Sequence, residues 1–296
     1  MRGGAAIGQP TVGAGVAQAA SGLVGALRDV RTVHWVLRLG VVAEFIGHGT
    51  FGIITKAGWV PYFGVVGIPA SVAWPLMPVV GTVDVALALL ALVRPMRATL
   101  LYMAVWGLWT ALLRPLSGEG PWEFLERAGN FGVPLALFWL SGPARTWRDW
   151  FALITPGPVS VARARQVGWI LRLTTALLLV GHGGFGAVMA KAEWLSFFGV
   201  VGINAATATA ADLTARLGWF EMALGLLVLV RPLPAVLAFV FIWKVGVELL
   251  RPLAGQAFWE VVERGGSYAA PLALLCLSLW ANDAEAPLDG GPAAPA

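Results

Sequence analysis

Long apolar segments recur along this chain, and short stretches rich in proline, glycine and charged residues separate them. A bilayer core requires about 20 mostly apolar residues in each crossing helix. Eight segments approach this length, at about residues 37–55, 76–93, 98–113, 129–142, 167–189, 213–230, 233–250 and 266–281. The pattern therefore predicts an all-α membrane protein with eight transmembrane helices.

One order of residue types occurs twice. His48 and His182 each stand between two glycines, and each is followed by a lysine, a tryptophan and the sequence Phe-Gly-Val-Val-Gly-Ile. Further matched pairs are Lys56 and Lys191, Trp59 and Trp194, Asp84 and Glu221, Arg114 and Arg251, Glu123 and Glu260, and Arg127 and Arg264. Similarity over this length indicates the duplication of a whole unit. We predict two four-helix bundle repeats, at 36–142 and 167–282, with parallel orientation because each has an even number of spans.

The segments outside the repeats have a different composition. Residues 1–35 are predicted to be a flexible cytoplasmic tail, and residues 283–296, rich in Ala, Pro, Gly and acidic residues, a disordered one. Residues 143–166 combine tryptophan and phenylalanine with arginines. This mixture suits the headgroup region of a membrane and predicts an interfacial cytoplasmic linker.

Composition and charge support a membrane location. Of the 296 residues, 58% are hydrophobic and 12% are charged, whereas soluble domains carry roughly 25% charged residues. One side of the eight-helix arrangement holds Arg28, Arg31, Arg38, Arg94, Arg97, Arg145, Arg148, Arg163, Arg165, Arg172 and Arg231. The positive-inside rule then predicts a multi-pass protein of the cell (inner) membrane with both termini cytoplasmic. The net charge of +4 follows from this placement, so nucleic acid is not an expected partner and the lipid bilayer is.

Several kinds of chemistry lack their usual residues. Cys276 is the single cysteine, which excludes an internal disulfide and a CxxC redox pair. Redox chemistry would therefore need a borrowed cofactor. The chain has three histidines, one of them at the cytoplasmic end, and no nucleophilic triad, phosphate loop or zinc spacing. We predict no metal site and assign no catalytic residues, so an enzyme is disfavoured.

Ionisable residues inside the apolar segments are the best candidates for function. They are Glu44, Asp84, Glu221, Lys244 and Glu248. A central Asp or Lys costs roughly 2.5–3.5 kcal/mol to insert, so these side chains should face inward and find partners. Lys244 and Glu248 are four residues apart on one helix, and their pair is either structural or part of a proton or ligand site.

Each histidine is predicted to meet the carboxylate of the following span. His48 would contact Asp84, and His182 would contact Glu221. Such a contact leaves the second imidazole nitrogen free for a proton, a metal or a quinone oxygen. The alternative is a hydrogen bond that only fixes helix packing, with the flanking glycines allowing close approach. Glu44 lies on the same helix face as His48.

The cofactor and the loops are less well defined by the pattern. A quinone is a ligand that the histidines allow, while haem or chlorophyll is disfavoured because the two histidines belong to different units. After each histidine span, an outer loop carries Lys56 with Trp59 and Lys191 with Trp194. Aromatic residues of this kind suit the membrane–water interface.

These motifs resemble the DoxX-like family of small four-span membrane proteins, over about 36–141 and again over about 167–281. The resemblance lies in a first-span glycine followed by a lysine, an aromatic loop, and Glu221 with Gly225 one turn later; the first unit departs from it with Asp84 and Ala88. It implies a four-helix bundle per unit and a link to thiosulfate:quinone oxidoreductase subunits or membrane redox complexes. We therefore expect an accessory or structural subunit of such a complex. The alternative is a quinone-linked redox protein, or a carrier of protons or small molecules.

Overall fold

The computed structural model describes residues 21–203 and 208–285, and within them the regular structure is entirely helical. The helices of the first half are α1 Val30–Ile53, α2 Val60–Val65, α3 Ala70–Val93, α4 Arg97–Leu116, α5 Pro121–Glu126 and α6 Ala128–Leu140. Those that follow are α7 Trp147–Phe151, α8 Val161–Ala187, α9 Glu193–Val200, α10 Ala208–Val230, α11 Pro234–Leu253, α12 Trp259–Val262 and α13 Gly265–Glu285.

The first long helix begins earlier than the sequence analysis predicted. The carboxylate of Asp29 accepts the backbone N–H of Arg31 at 2.8 Å and so caps the start of α1. Val33 and Leu37 on its first turns are fully buried. Residues 30–35 are thus part of a packed helix and not of a flexible tail, because their apolar side chains reach the core.

Three other predicted boundaries also change. The proposed linker 143–166 ends at residue 160, where the Ser160 hydroxyl caps α8. Helix α13 extends to Glu285, into the segment predicted to be disordered. The rest of that segment and residues 1–20 lie outside the described residues. Helix α3 begins at Ala70 and includes Pro75 and Pro78, so it starts earlier than the predicted span 76–93 and the loop after α1 is shorter.

Length and composition allow four of the described helices to cross a membrane. They are Val30–Ile53, Ala70–Val93, Val161–Ala187 and Ala210–Val230. Other predicted spans fail these requirements of length or composition for physical reasons. Helix α6 has 13 residues and a rise of about 20 Å, less than the roughly 30 Å of a bilayer core. Helix α11 carries Lys244, Glu248 and Arg251.

The long helices pack across the two halves of the chain. Helix α1 packs against α3 and against α13 of the second half, while α8 packs against α10 and against α6 of the first half. Helices α1, α6, α8 and α13 surround a single core that contains Leu37, Leu137, Leu171 and Leu274. The two predicted repeats therefore share one core instead of packing as separate bundles.

Glycines beside the histidines allow the two halves to pack this closely. A methyl group at Gly47 would overlap the backbone nitrogen of Glu263, and one at Gly181 would overlap that of Glu126. In each case the backbone of a short helix in the other half lies directly on the histidine helix. The Gly-His-Gly pattern is thus a packing motif as well as a chemical one.

We expect Gly47→Ala to destabilise the protein, because overpacking of a tight contact costs about 1–3 kcal/mol and the obstructing atoms belong to a backbone. The melting temperature of the detergent-solubilised protein measures the effect. Gly64→Ala is the matched control, since no atom lies within 4 Å of a methyl group at that position. Equal melting temperatures for the two variants would contradict the packing described above.

Candidate functional site

The structure brings together both histidine–carboxylate pairs that the sequence predicted. His48 Nδ1 lies 3.3 Å from Asp84 Oδ2, and His182 Nδ1 lies 2.5 Å from Glu221 Oε2. Each contact joins the first long helix of a half to the second. The side chain of His182 is 1% exposed and that of His48 is 17% exposed. Both pairs are thus held inside the helical core.

A tryptophan covers each histidine. The ring centroids of His48 and Trp59 are 4.5 Å apart, and those of His182 and Trp194 are 4.9 Å apart. The sequence analysis assigned these tryptophans to the membrane–water interface, but both are buried. Their short helical segments fold back over the bundle, so the indole rings pack on imidazole instead of anchoring in headgroups.

An apolar cavity adjoins each histidine. The first has a volume of about 200 Å³ and is lined by His48, Trp59, Phe63, Trp106 and Trp109 among others. The second has a volume of about 300 Å³, and matching positions of the second half line it, including His182, Trp194, Phe198, Glu221 and Trp243. The second cavity has the His182–Glu221 pair on an otherwise apolar wall, whereas the first has His48 together with Tyr62, Thr110 and Arg114 on a largely apolar one. Mostly apolar walls with a few polar groups are typical of sites for small lipophilic ligands.

The free nitrogen of His182 is the strongest chemical signal. Its Nδ1 is held by Glu221, while its Nε2 is buried without a hydrogen-bond partner. A buried polar atom left unpaired costs roughly 1–3 kcal/mol. With the proton on Nδ1, Nε2 accepts a hydrogen bond; with both nitrogens protonated, Nε2 donates one. The pair can therefore bind either a hydroxyl group or a carbonyl oxygen.

The loop lysines connect the two halves. Lys56 Nζ lies 3.0 Å from Glu260 Oε1, and Lys191 forms the corresponding ion pair with Glu123. Each lysine also lies over a phenylalanine ring of its own half. Every loop that covers a histidine is therefore tied to the short helix of the opposite half.

A glutamate and an arginine four residues apart, as in Glu123 with Arg127 and Glu260 with Arg264, are typical of a short surface helix. Both pairs form, at 2.8 Å and 3.2 Å. However, Glu123 and Arg264 are buried, because α5 packs against α8 and α12 packs against α1. Helical spacing identifies the pairs but does not reveal what covers them.

Arg264 is the centre of a buried charge network. Its guanidinium contacts Glu126 at 3.4 Å, Glu248 at 3.1 Å, Glu260 at 3.2 Å and Glu263 at 3.3 Å. It therefore joins α5 and α11 to the segment before α13. Sequence reasoning missed this role; the signal available was the matched Glu-Arg motif, which recurs in both halves.

The remaining predicted site residues lie around this network. Lys244 Nζ is 3.4 Å from Glu248 Oε1, as the spacing predicted, and Glu248 also pairs with Arg251. The Glu44 carboxylate accepts a hydrogen bond from the backbone N–H of Gly266, a residue of the second half, at 3.1 Å. Trp106 and Trp243, which face the two carboxylates, were not predicted as site residues. Their matched positions in the duplicated sequence could have identified them.

No family model, no curated protein and no solved structure matches this chain. Within residues 21–203 and 208–285, the structure brings together no group of three or more His, Cys, Asp and Glu side chains that could hold a metal ion. The site chemistry is therefore read from the histidine pairs and their cavities.

We expect Arg264→Met to lower stability strongly, because removal of one partner from a buried ion pair costs about 3–5 kcal/mol. The matched control is Arg216→Met, since Arg216 forms a surface pair with Asp212 at 2.7 Å and is 75% exposed. Exposed pairs of this kind contribute about 0–1 kcal/mol. Thermal unfolding in detergent compares the two variants, and similar melting temperatures would show that the buried network is not stabilising.

Acid should weaken the same network. Burial by itself raises the pKa of Glu123, but Arg127 and Lys191 outweigh it and hold the pKa below the ordinary 4.5. Burial acts likewise on the pKa of Glu126, which Arg264 and Arg127 hold well below that value. The folded protein therefore binds these protons less readily than the unfolded chain, so the stabilisation is complete above about pH 4.5 and is lost as the pH falls below it.

The melting temperature should thus fall as the pH is lowered from about 4.5 to about 3. Glu123→Gln should show a smaller fall than the wild-type protein, because one of the titrating groups is gone. A wild-type melting temperature that stays constant over this range would contradict the proposed contribution of the glutamates.

Proposed function

We propose that this chain is a membrane protein that binds two molecules of a quinone-type lipophilic ligand, one at each histidine cavity. The observation that carries the proposal is that His182, whose buried Nε2 has no hydrogen-bond partner, is one of the residues that line an apolar cavity. A ligand with an apolar body and one oxygen would satisfy this nitrogen and fill the cavity.

The oxygen of a quinone suits the site for a chemical reason. It is a carbonyl in the oxidised form and a hydroxyl in the reduced form. The imidazole held by Glu221 can donate to the first and accept from the second, depending on its own protonation. The aromatic walls, with Trp194 and Trp243 in the second cavity, suit a flat ring. A ligand with only one of these oxygen states would not need an ionisable partner.

The membrane arrangement that we propose has eight helical crossings in two parallel repeats, with both termini cytoplasmic. Four helices meet the length and composition required. The other four crossings would be α4, α6, α11 and α13, and the arginine distribution supports the orientation. Charged residues of α11 face buried partners, which reduces the cost of placing that helix in lipid. We propose on the sequence motifs alone that the chain is DoxX-like.

A second candidate function is an accessory subunit of a membrane redox complex. Helices α3 and α10 favour it, since their outer faces expose large apolar side chains, among them Val79, Leu89, Trp219 and Leu226. Such faces can contact lipid or the helices of another subunit. Purification from the native membrane in mild detergent distinguishes the two functions, because a subunit should retain its partner and a separate binding protein should run alone.

The quinone site is tested by binding stoichiometry. Wild-type protein in nanodiscs should bind two molecules of decylubiquinone, measured by quenching of tryptophan fluorescence and by extraction and chromatography. His182→Leu should bind at the second cavity about 5- to 140-fold more weakly, because loss of a buried hydrogen bond costs about 1–3 kcal/mol and 1.4 kcal/mol is tenfold. The stoichiometry should therefore fall to one.

His34→Leu is the matched control. His34 is also a buried histidine of a long helix, but it lines a different cavity, near Thr155 and Arg163. This variant should still bind two molecules. Unchanged binding in both His48→Leu and His182→Leu would refute the proposal.

A further inference from the structure

The carboxylates of the two histidine sites, Asp84 and Glu221, differ in length by one methylene group. In the second half, Glu221 reaches both its neighbours: Oε2 contacts His182, and Oε1 accepts the indole N–H of Trp243 at 2.6 Å. In the first half, the shorter Asp84 contacts only His48. Asp84 Oδ1 and the indole nitrogen of Trp106 are both buried without a hydrogen-bond partner. The aspartate therefore leaves a donor and an acceptor unpaired where the glutamate joins them.

A small polar cavity lies at this gap. Its volume is about 10 Å³, and its lining includes Asp84, Trp106, Asn130 and Glu44. This volume is about that of one probe sphere, the minimum that holds a water molecule. A buried water typically makes about three hydrogen bonds, and the lining offers the unpaired acceptor, the unpaired indole donor and further polar groups.

Two polar positions of this lining are apolar in the second half. Leu178 precedes His182 by four residues, at the position that Glu44 occupies before His48. Val247 follows Trp243 by four residues, where the first half has Thr110 after Trp106. Thus the half in which the carboxylate bonds directly to tryptophan has apolar residues at two of these polar positions, while Ser267 stands at the position of Asn130.

We propose that one water molecule bridges Asp84 and Trp106 and connects the His48–Asp84 pair to Glu44, so that the first site exchanges protons while the second holds its pair closed. With His48 as the imidazolium, its Nδ1 proton passes to Asp84 Oδ2 and leaves a neutral imidazole. Rotation of the Asp84 carboxyl group then turns its O–H toward the water, which accepts this proton as it gives one of its own to the Glu44 carboxylate. The reverse order returns it. Each intermediate group takes one proton and releases one, and no electron is transferred.

The surroundings of Glu44 set where the route ends. Besides the proposed water, the Glu44 carboxylate accepts a hydrogen bond from the backbone N–H of Gly266 at 3.1 Å. The charged groups that face it from the packed elements are Glu263 and Arg264 before α13, Glu126 on α5, Asp84 on α3 and His48 on its own helix. Helices α4 and α6 contribute uncharged Trp106, Thr110 and Asn130. Carboxylates, a guanidinium and an imidazole therefore surround the Glu44 carboxyl group. In such surroundings the group can hold or release a proton.

This inference deepens the proposed function, because it assigns proton exchange to one of two ligand sites. The test uses the full chain without any ligand, so failure to bind quinone and failure to exchange protons are separate results. The chain has three histidines, and their imidazole signals can be assigned by single substitutions. NMR of the ¹⁵N-histidine-labelled protein in nanodiscs then reports the exchange of each imidazole proton with water.

In the wild type, we expect an exchange signal between water and the His48 imidazole and none for His182. Asp84→Glu should abolish the His48 signal, since the longer side chain reaches Trp106 and takes the place of the water. Glu44→Leu, which introduces the residue found at position 178, should abolish it as well. The unshifted His182 resonance serves in each variant as the control for an intact fold.

Thr110→Val provides a milder variant in case Glu44→Leu fails to fold. It introduces the residue of position 247 and should weaken the signal without moving the His182 resonance. Exchange at His182 as fast as at His48, or an unchanged His48 signal in both Asp84→Glu and Glu44→Leu, would overturn the proposal.

Discussion

The close approach of each histidine helix to the opposite half is the constraint on which the structure depends. At Gly47 and Gly181 there is no room for a methyl group, because the backbones of Glu263 and Glu126 occupy that space. Because of this backbone contact, the short helices α5 and α12 pack within the bundle, and charged side chains on and next to them are buried. The protein must then pair every charge that it has buried.

The charge network is the consequence of that packing. Arg264 contacts glutamates of three segments, and the lysines of the two covering loops reach across to Glu260 and Glu123. Because a lone buried charge would cost several kcal/mol, the ions are stable only as a set. The network consequently fixes how the two halves meet, and through the lysines it also fixes the loops that cover the histidines.

The cavities are formed by the same loops. Trp59 and Trp194 lie on the histidines because their segments are held between an ion pair at Lys56 or Lys191 and the apolar side of the bundle. Packing, charge pairing and the site are therefore parts of one arrangement. The two sites nevertheless differ, since a single methylene group decides whether the carboxylate reaches the neighbouring indole. A duplicated pattern can in this way support two different local chemistries.

The sequence by itself determined the helical character, the position of most long helices, and the pairs His48–Asp84, His182–Glu221 and Lys244–Glu248. These follow from local rules, namely apolar length, four-residue spacing and the matched order of the two halves. Only the tertiary structure decided that Glu123 and Arg264 are buried, that the long helices of one half pack on those of the other, and that Trp59 covers a histidine. Helical spacing fixes which side chains share a face, but burial depends on what packs against that face, and this is set by contacts between segments that the local pattern does not relate.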